Sequence, residues 1–116
     1  MFDNTQTITI DSVASSLTKT GFSPNTGEWT EPNGELAFST RQTKTANRFR
    51  REVRISMNAV AADPISAVNK SVGASVYLVI DEPKFGFSDE YLRDVVWALK
   101  DWLTTPHIEA VLAGEF

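Results

Sequence analysis

Residues 41–57 read Arg41-Gln-Thr-Lys-Thr-Ala-Asn-Arg-Phe-Arg-Arg-Glu-Val-Arg-Ile-Ser-Met57 and form the one strongly basic stretch of an acidic chain. From Asn47 onward the stretch alternates. Phe49, Val53, Ile55 and Met57 take the odd positions, and Arg48, Arg50, Glu52, Arg54 and Ser56 take the even ones. A period of two predicts a β-strand, because successive side chains leave opposite faces of the pleat. One face is therefore apolar and the other carries cations. Arg51 falls on the apolar side, where a long side chain can carry its charge out to water.

Glu35–Gln42 alternates as well, with Leu36, Phe38 and Thr40 on one face and Ala37, Ser39 and Arg41 on the other. The polar segment Thr43-Lys-Thr-Ala-Asn47 between the runs suits a hairpin connection. The hairpin then presents one greasy face and one face of small polar groups and arginines. The second face has two readings: a solvated sheet surface, or a flat cationic platform for a polyanion.

The 116 residues fit one domain, 1–116, able to bury about two thirds of its unfolded surface. The formal net charge of −4 argues against a generic nucleic-acid binder, but the charge is unevenly distributed. Seven of the 11 Lys and Arg residues lie between positions 36 and 80, against two acids, and both ends are acidic. That pattern concentrates positive potential in the middle of the chain. With no cysteine, neither a disulfide framework nor a thiolate metal site is available. No apolar run reaches membrane-spanning length, and Met-Phe-Asp-Asn-Thr5 lacks a charged-then-apolar leader, so the expectation is a soluble protein made without export.

Before the hairpin, Thr5–Ile10 reads as a strand, Asp11-Ser12 as its turn, and Ala14–Phe22 as a weaker strand. Pro24-Asn-Thr-Gly27 and Pro32-Asn-Gly34 are turn signals that leave room only for a short strand at Glu28–Glu31. After the hairpin, Ala59–Ser71 is small, mixed and interrupted by Asp63-Pro64, and reads as a long loop. Ala74–Ile80 is a strand with Val76, Leu78 and Ile80 on one face and Ser75, Tyr77 and Val79 on the other, and Asp81-Glu-Pro83 ends it. Ser88–Leu103 predicts a helix with Ser88 as its N-cap and Asp89 and Glu90 in the first turn. Tyr91, Leu92, Val95, Val96, Leu99, Trp102 and Leu103 make its apolar stripe. A second short helix starts at Thr105-Pro106, with Thr105 as cap, and Gly114 closes it.

Antiparallel strands followed by two helices make an α+β architecture. The helices need an apolar sheet face, which Leu36, Phe38, Val53, Ile55, Val76 and Leu78 supply. An open sheet also leaves an edge, which pairing across a two-fold axis removes. Enzyme chemistry is poorly represented. The sole histidine, His107, has neither a nucleophile nor ligand spacing nearby, there is no glycine-rich phosphate loop, and the acidic pairs sit at a strand end and a helix start. No catalytic residue, metal site, cofactor or small-molecule substrate is expected. RNA binding fits better: arginines for phosphates, Tyr77 to stack an unpaired base, Ser39 for a base edge.

Two blocks carry a family resemblance. One runs from Arg41-Gln42 through Asn47-Arg48 into Phe49-Arg-Arg-Glu-Val-Arg-Ile-Ser56; the other runs from Ser88-Asp-Glu90 through Leu103-Thr-Thr-Pro106 to Ile108-Glu-Ala-Val111. The chain resembles the coat proteins of single-stranded RNA bacteriophages, the leviviral type. The order of strands, the length and the Gly-Glu-Phe116 ending agree.

The resemblance implies an N-terminal β-hairpin, a five-stranded antiparallel sheet and two C-terminal α-helices. It implies an interlocked homodimer in which each chain lays its helices across the partner's sheet. Tyr91, Val95, Val96, Leu99 and Trp102 are the expected dimer contacts. Dimers tile an icosahedral virion shell assembled in the bacterial host cytoplasm, and the Ala59–Ser71 loop lines its symmetry axes. The inner sheet face binds genomic RNA, and in several members a hairpin at the replicase start, so that the coat also acts as a translational repressor. Carried over, the RNA-facing residues are Ser39, Arg41, Asn47, Arg50, Glu52 and Arg54, with Tyr77 in phase beside them. This sequence departs from the family at Ala37, which lacks a hydroxyl, and at Gly73, near which the stacking tyrosine falls. The alternative is a cellular RNA-binding sheet module that never assembles; only Tyr77 supplies the stacking aromatics such a module needs.

Overall fold

The computed structural model describes residues 2–62, 64–66 and 68–115. Six strands, β1 (Thr5–Ile10), β2 (Val13–Ser23), β3 (Thr26–Thr30), β4 (Leu36–Lys44), β5 (Arg48–Ala62) and β6 (Asn69–Pro83), precede α1 (Asp89–Trp102) and α2 (Thr105–Leu112). The strands form one sheet in sequence order. The expected N-terminal hairpin and five-stranded sheet are both present and share β2, whose register shifts between Lys19 and Gly21 where it passes from β1 to β3. Asp11 and Ser12 both have positive φ, 50° and 64°, as a two-residue hairpin turn matched to the strand twist requires.

Cross-strand pairing puts the core on one face. Lys19 opposes Trp29, Trp29 opposes Phe38, and Phe38 opposes Ile55. Leu17, Trp29 and Leu36 are buried, with Ile8, Phe38, Ile55 and Met57 packed around them. Trp29 is the hub. Its indole Nε1 donates to the Asp3 carbonyl at 2.9 Å, the Phe2 ring meets it edge-on at 6.1 Å, and Phe38 lies 5.5 Å away. Its ring also lies over Gly27, where a Cβ would stand 2.8 Å from the indole. The strand therefore needs glycine two residues before the tryptophan.

The β5–β6 hairpin differs from the expected Ala59–Ser71 loop. β5 runs on to Ala62 and β6 already begins at Asn69, so both strands reach into the segment expected to be loop. Nearly every side chain in these extensions is exposed on both faces. Backbone pairing holds them, and no buried face imposes the alternation that reveals a strand in sequence. Likewise β6 continues past Ile80 to Pro83, with Glu82 buried. Asp63 of the Asp63-Pro64 break and Phe116 of the C-terminal ending lie outside the described residues.

The chain divides into two units, Met1–Glu82 and Pro83–Phe116. In the second, the Ser88 hydroxyl accepts from the Tyr91 amide at 3.1 Å and caps α1 as expected. The α2 N-cap is Thr104, one residue earlier than expected, because Thr105 is already helical ahead of Pro106. Gly114 closes α2 at φ 83°. His107 stacks on Trp102 at 4.2 Å, with its Nδ1 beside the Trp102 carbonyl oxygen, bracing the elbow between the helices. No side chain of either helix is buried.

If Trp29 organises the core, Trp29→Ala lowers unfolding free energy by ~3–5 kcal/mol. Denaturant titration followed by circular dichroism measures this; a midpoint within error of wild type contradicts the assignment.

Candidate nucleic-acid interface

The β4–β5 register fixes what lies on the face opposite the core. Ala37 opposes Ser56, Ser39 opposes Arg54, Arg41 opposes Glu52 and Thr43 opposes Arg50, while Glu28 of β3 opposes Ser39. The Arg54 guanidinium lies 4.4 Å from the Tyr77 ring, which puts Tyr77 on the same face. Of the residues expected from sequence, Ser39, Arg41, Arg50, Glu52, Arg54 and Tyr77 thus come together on one surface. Asn47 stands apart, exposed in the turn that Thr45 closes with bonds to Arg48.

The arginines of this face are not equivalent. Arg54 Nη2 binds Glu52 Oε1 at 2.9 Å, with side-chain exposures of 38% and 11%. Its Nε is buried and without a hydrogen-bond partner. Arg48 pairs with Asp81 at 2.8 Å in an open setting. Arg41 and Arg50 are exposed and, among the described residues, form no ion pair. Exposed pairs contribute little to stability, whereas a shielded carboxylate such as Glu52 holds its partner more firmly.

Arg48, Asp81 and Glu28 were not among the expected site residues. Arg48 was legible, being in phase with Arg50. Asp81 shares the phase of Tyr77 but follows the expected strand end, and Glu28 is recognisable only from its pairing with Ser39. On the core side, Arg51 does not simply reach water. Its Nη2 binds Glu82 Oε1 at 2.8 Å, and Glu82 is 6% exposed. The α1 residues Tyr91, Val95, Leu99 and Trp102 are exposed and Val96 is half-buried. Tyr91 stacks on Phe87 at 5.9 Å.

No protein-family model and no curated protein matches the sequence. Solved structures do match. The subunit of the virus-like particle of bacteriophage AVE019 superposes with a TM-score of 0.83 at 15% identity, covering 98% of this chain and 97% of that one. The fold is that of the leviviral coat proteins. The virus-like particle of Beihai levi-like virus 21 gives a TM-score of 0.70 at 9% identity over 97% and 94% of the two chains. The bacteriophage GA capsid protein gives 0.61 at 10% identity over 91% and 88%. The coat-protein fold thus spans both the sheet and the helices, at identities where sequence comparison alone finds no relative.

Removing the cation beside a buried carboxylate leaves that charge uncompensated. Arg51→Met therefore lowers stability by about 1–3 kcal/mol, and Arg51→Met with Glu82→Gln recovers part of the loss. Chemical denaturation of both variants checks this. Equal stability of Arg51→Met and wild type removes the pair from the account.

Proposed function

We propose that this chain is the structural coat protein of an RNA bacteriophage. The carrying observation is the whole-chain match to a virus-like particle subunit, covering 98% and 97% of the two chains. In this reading the chain acts as one coat domain. It dimerises through Tyr91, Val95, Val96, Leu99 and Trp102 of α1, and the dimers close an icosahedral shell in the bacterial cytoplasm. Genomic RNA lies against Ser39, Arg41, Asn47, Arg50, Glu52, Arg54 and Tyr77 on the shell interior. Translational repression through one replicase hairpin is the part of this reading that the sequence supports least, because Ala37 lacks a hydroxyl and the stacking tyrosine's place falls near Gly73.

Two features support this reading. The sheet has unlike faces, one apolar and one carrying arginine, which is what a wall between a protein layer and a polyanion needs. The helices carry an apolar stripe with no buried side chain, and a stripe of that kind requires a partner. A non-assembling RNA-binding module explains the first feature and leaves the second unused. His107 is stacked on Trp102, and among the described residues no three His, Asp or Glu side chains are grouped to hold a metal ion.

Expression of the chain alone, followed by electron microscopy and ultraviolet absorbance, tests the proposal. The expected result is closed particles with a nucleic-acid absorbance peak. A lasting monomer without particles across salt concentrations contradicts it.

A further inference from the structure

The face assigned to RNA carries four arginines, Arg41, Arg48, Arg50 and Arg54, and three carboxylates, Glu28, Glu52 and Asp81. Its net charge is close to neutral, so affinity for a polyanion depends on which cations are free. Glu52 stands at the centre of that question. It opposes Arg41 across the strands, follows Arg50 by two residues and precedes Arg54 by two, so all three arginines surround it on one face. It binds one of them. The Glu52 carboxylate takes Nη2 of Arg54, whose guanidinium also covers the Tyr77 ring at 4.4 Å.

We propose that Glu52 determines what kind of RNA this face accepts. By holding Arg54 against one side of Tyr77, a residue otherwise half exposed, it confines phosphate contact to Arg41 and Arg50 and takes that side of the ring from an incoming base. The fitting ligand is a single-stranded RNA backbone, bound with little regard to base sequence. This rests on the RNA-facing reading given above and specifies its ligand class.

The chemistry is that of competition for one guanidinium. A phosphate can engage Arg54 only by displacing a carboxylate that is already desolvated and close, and the arginine carries no uncompensated charge with which to release counterions. Buried Nε has no open path to a ligand. Base stacking on the covered side of Tyr77 requires moving Arg54 first. Arg41 and Arg50 carry no such cost. They are exposed, diagonal neighbours across β4 and β5, and unpaired among the described residues.

Fluorescence anisotropy of the purified full-length protein tests this. The probes are a 20-nucleotide oligouridylate and a mixed-sequence strand without a hairpin, each titrated across salt. Glu52→Gln frees Arg54 and tightens binding roughly threefold to tenfold near 0.1 M salt, steepening the log–log salt slope by about 0.7. Glu52→Gln with Arg54→Gln removes the guanidinium that the single variant sets free, and so loses that variant's gain in affinity and in slope. Arg41→Ala with Arg50→Ala weakens binding at least about tenfold and flattens the slope by about 1.4. The two wild-type probes bind within about threefold of each other.

Three results overturn the inference while the RNA-facing reading stands: loss of binding in Arg41→Ala/Arg50→Ala together with no gain in Glu52→Gln; an equal loss in Glu52→Gln/Arg54→Gln; or a hundredfold preference for one probe. Unchanged binding in Arg41→Ala/Arg50→Ala overturns the RNA-facing reading itself.

Discussion

The register between β4 and β5 is the constraint from which the rest follows. Leu36 opposes Met57 and Phe38 opposes Ile55, and that pairing alone puts Ser39 beside Arg54 and Arg41 beside Glu52 on the other side. A slip of one residue would send the arginines into the core and expose the apolar set, so the buried face enforces the polar one. Leu36, fixed under Trp29 and Leu17, is the pin. Trp29 in turn is held by the Asp3 carbonyl, the Phe2 ring and the absence of a side chain at Gly27.

The core built this way is small. Among the described residues Leu17, Trp29 and Leu36 are the buried apolar side chains, while Val53 and Val76 on the same side of the sheet stay exposed. The helices carry Tyr91, Val95, Leu99 and Trp102 at helical spacing, all exposed. A chain of 116 residues with so much apolar surface left open on both its units is suited to burial by another copy, and the proposed interlocked dimer accounts for both surfaces with one contact.

Much of this was legible in the sequence. Alternation from Phe49 to Met57 gives the strand and its two faces. Ser88, Asp89 and the stripe through Trp102 give the helix and its start. What escaped has identifiable physical causes. The strand extensions at 58–62 and 69–72 are held by backbone pairing with both faces exposed, so no hydrophobic period betrays them. Trp29 reads as part of a short strand, and its central place depends on contacts from Phe2 and Asp3, some 26 residues earlier in the chain. The charge state of the arginine face was the least legible feature. Arginines can be counted along a strand, but the binding of Arg48 to Asp81 is a cross-strand fact, and the choice of Arg54 by Glu52, among three neighbouring arginines, is a matter of geometry.

A density map of particles assembled from this chain tests the central claim most directly. The account predicts Arg41, Arg50 and Arg54 on the inner surface against nucleic-acid density, with α1 and α2 of one chain lying over the core side of its partner's sheet. Arginines on the outer surface, or a β4–β5 hairpin sandwiched between helices on both faces, would contradict it.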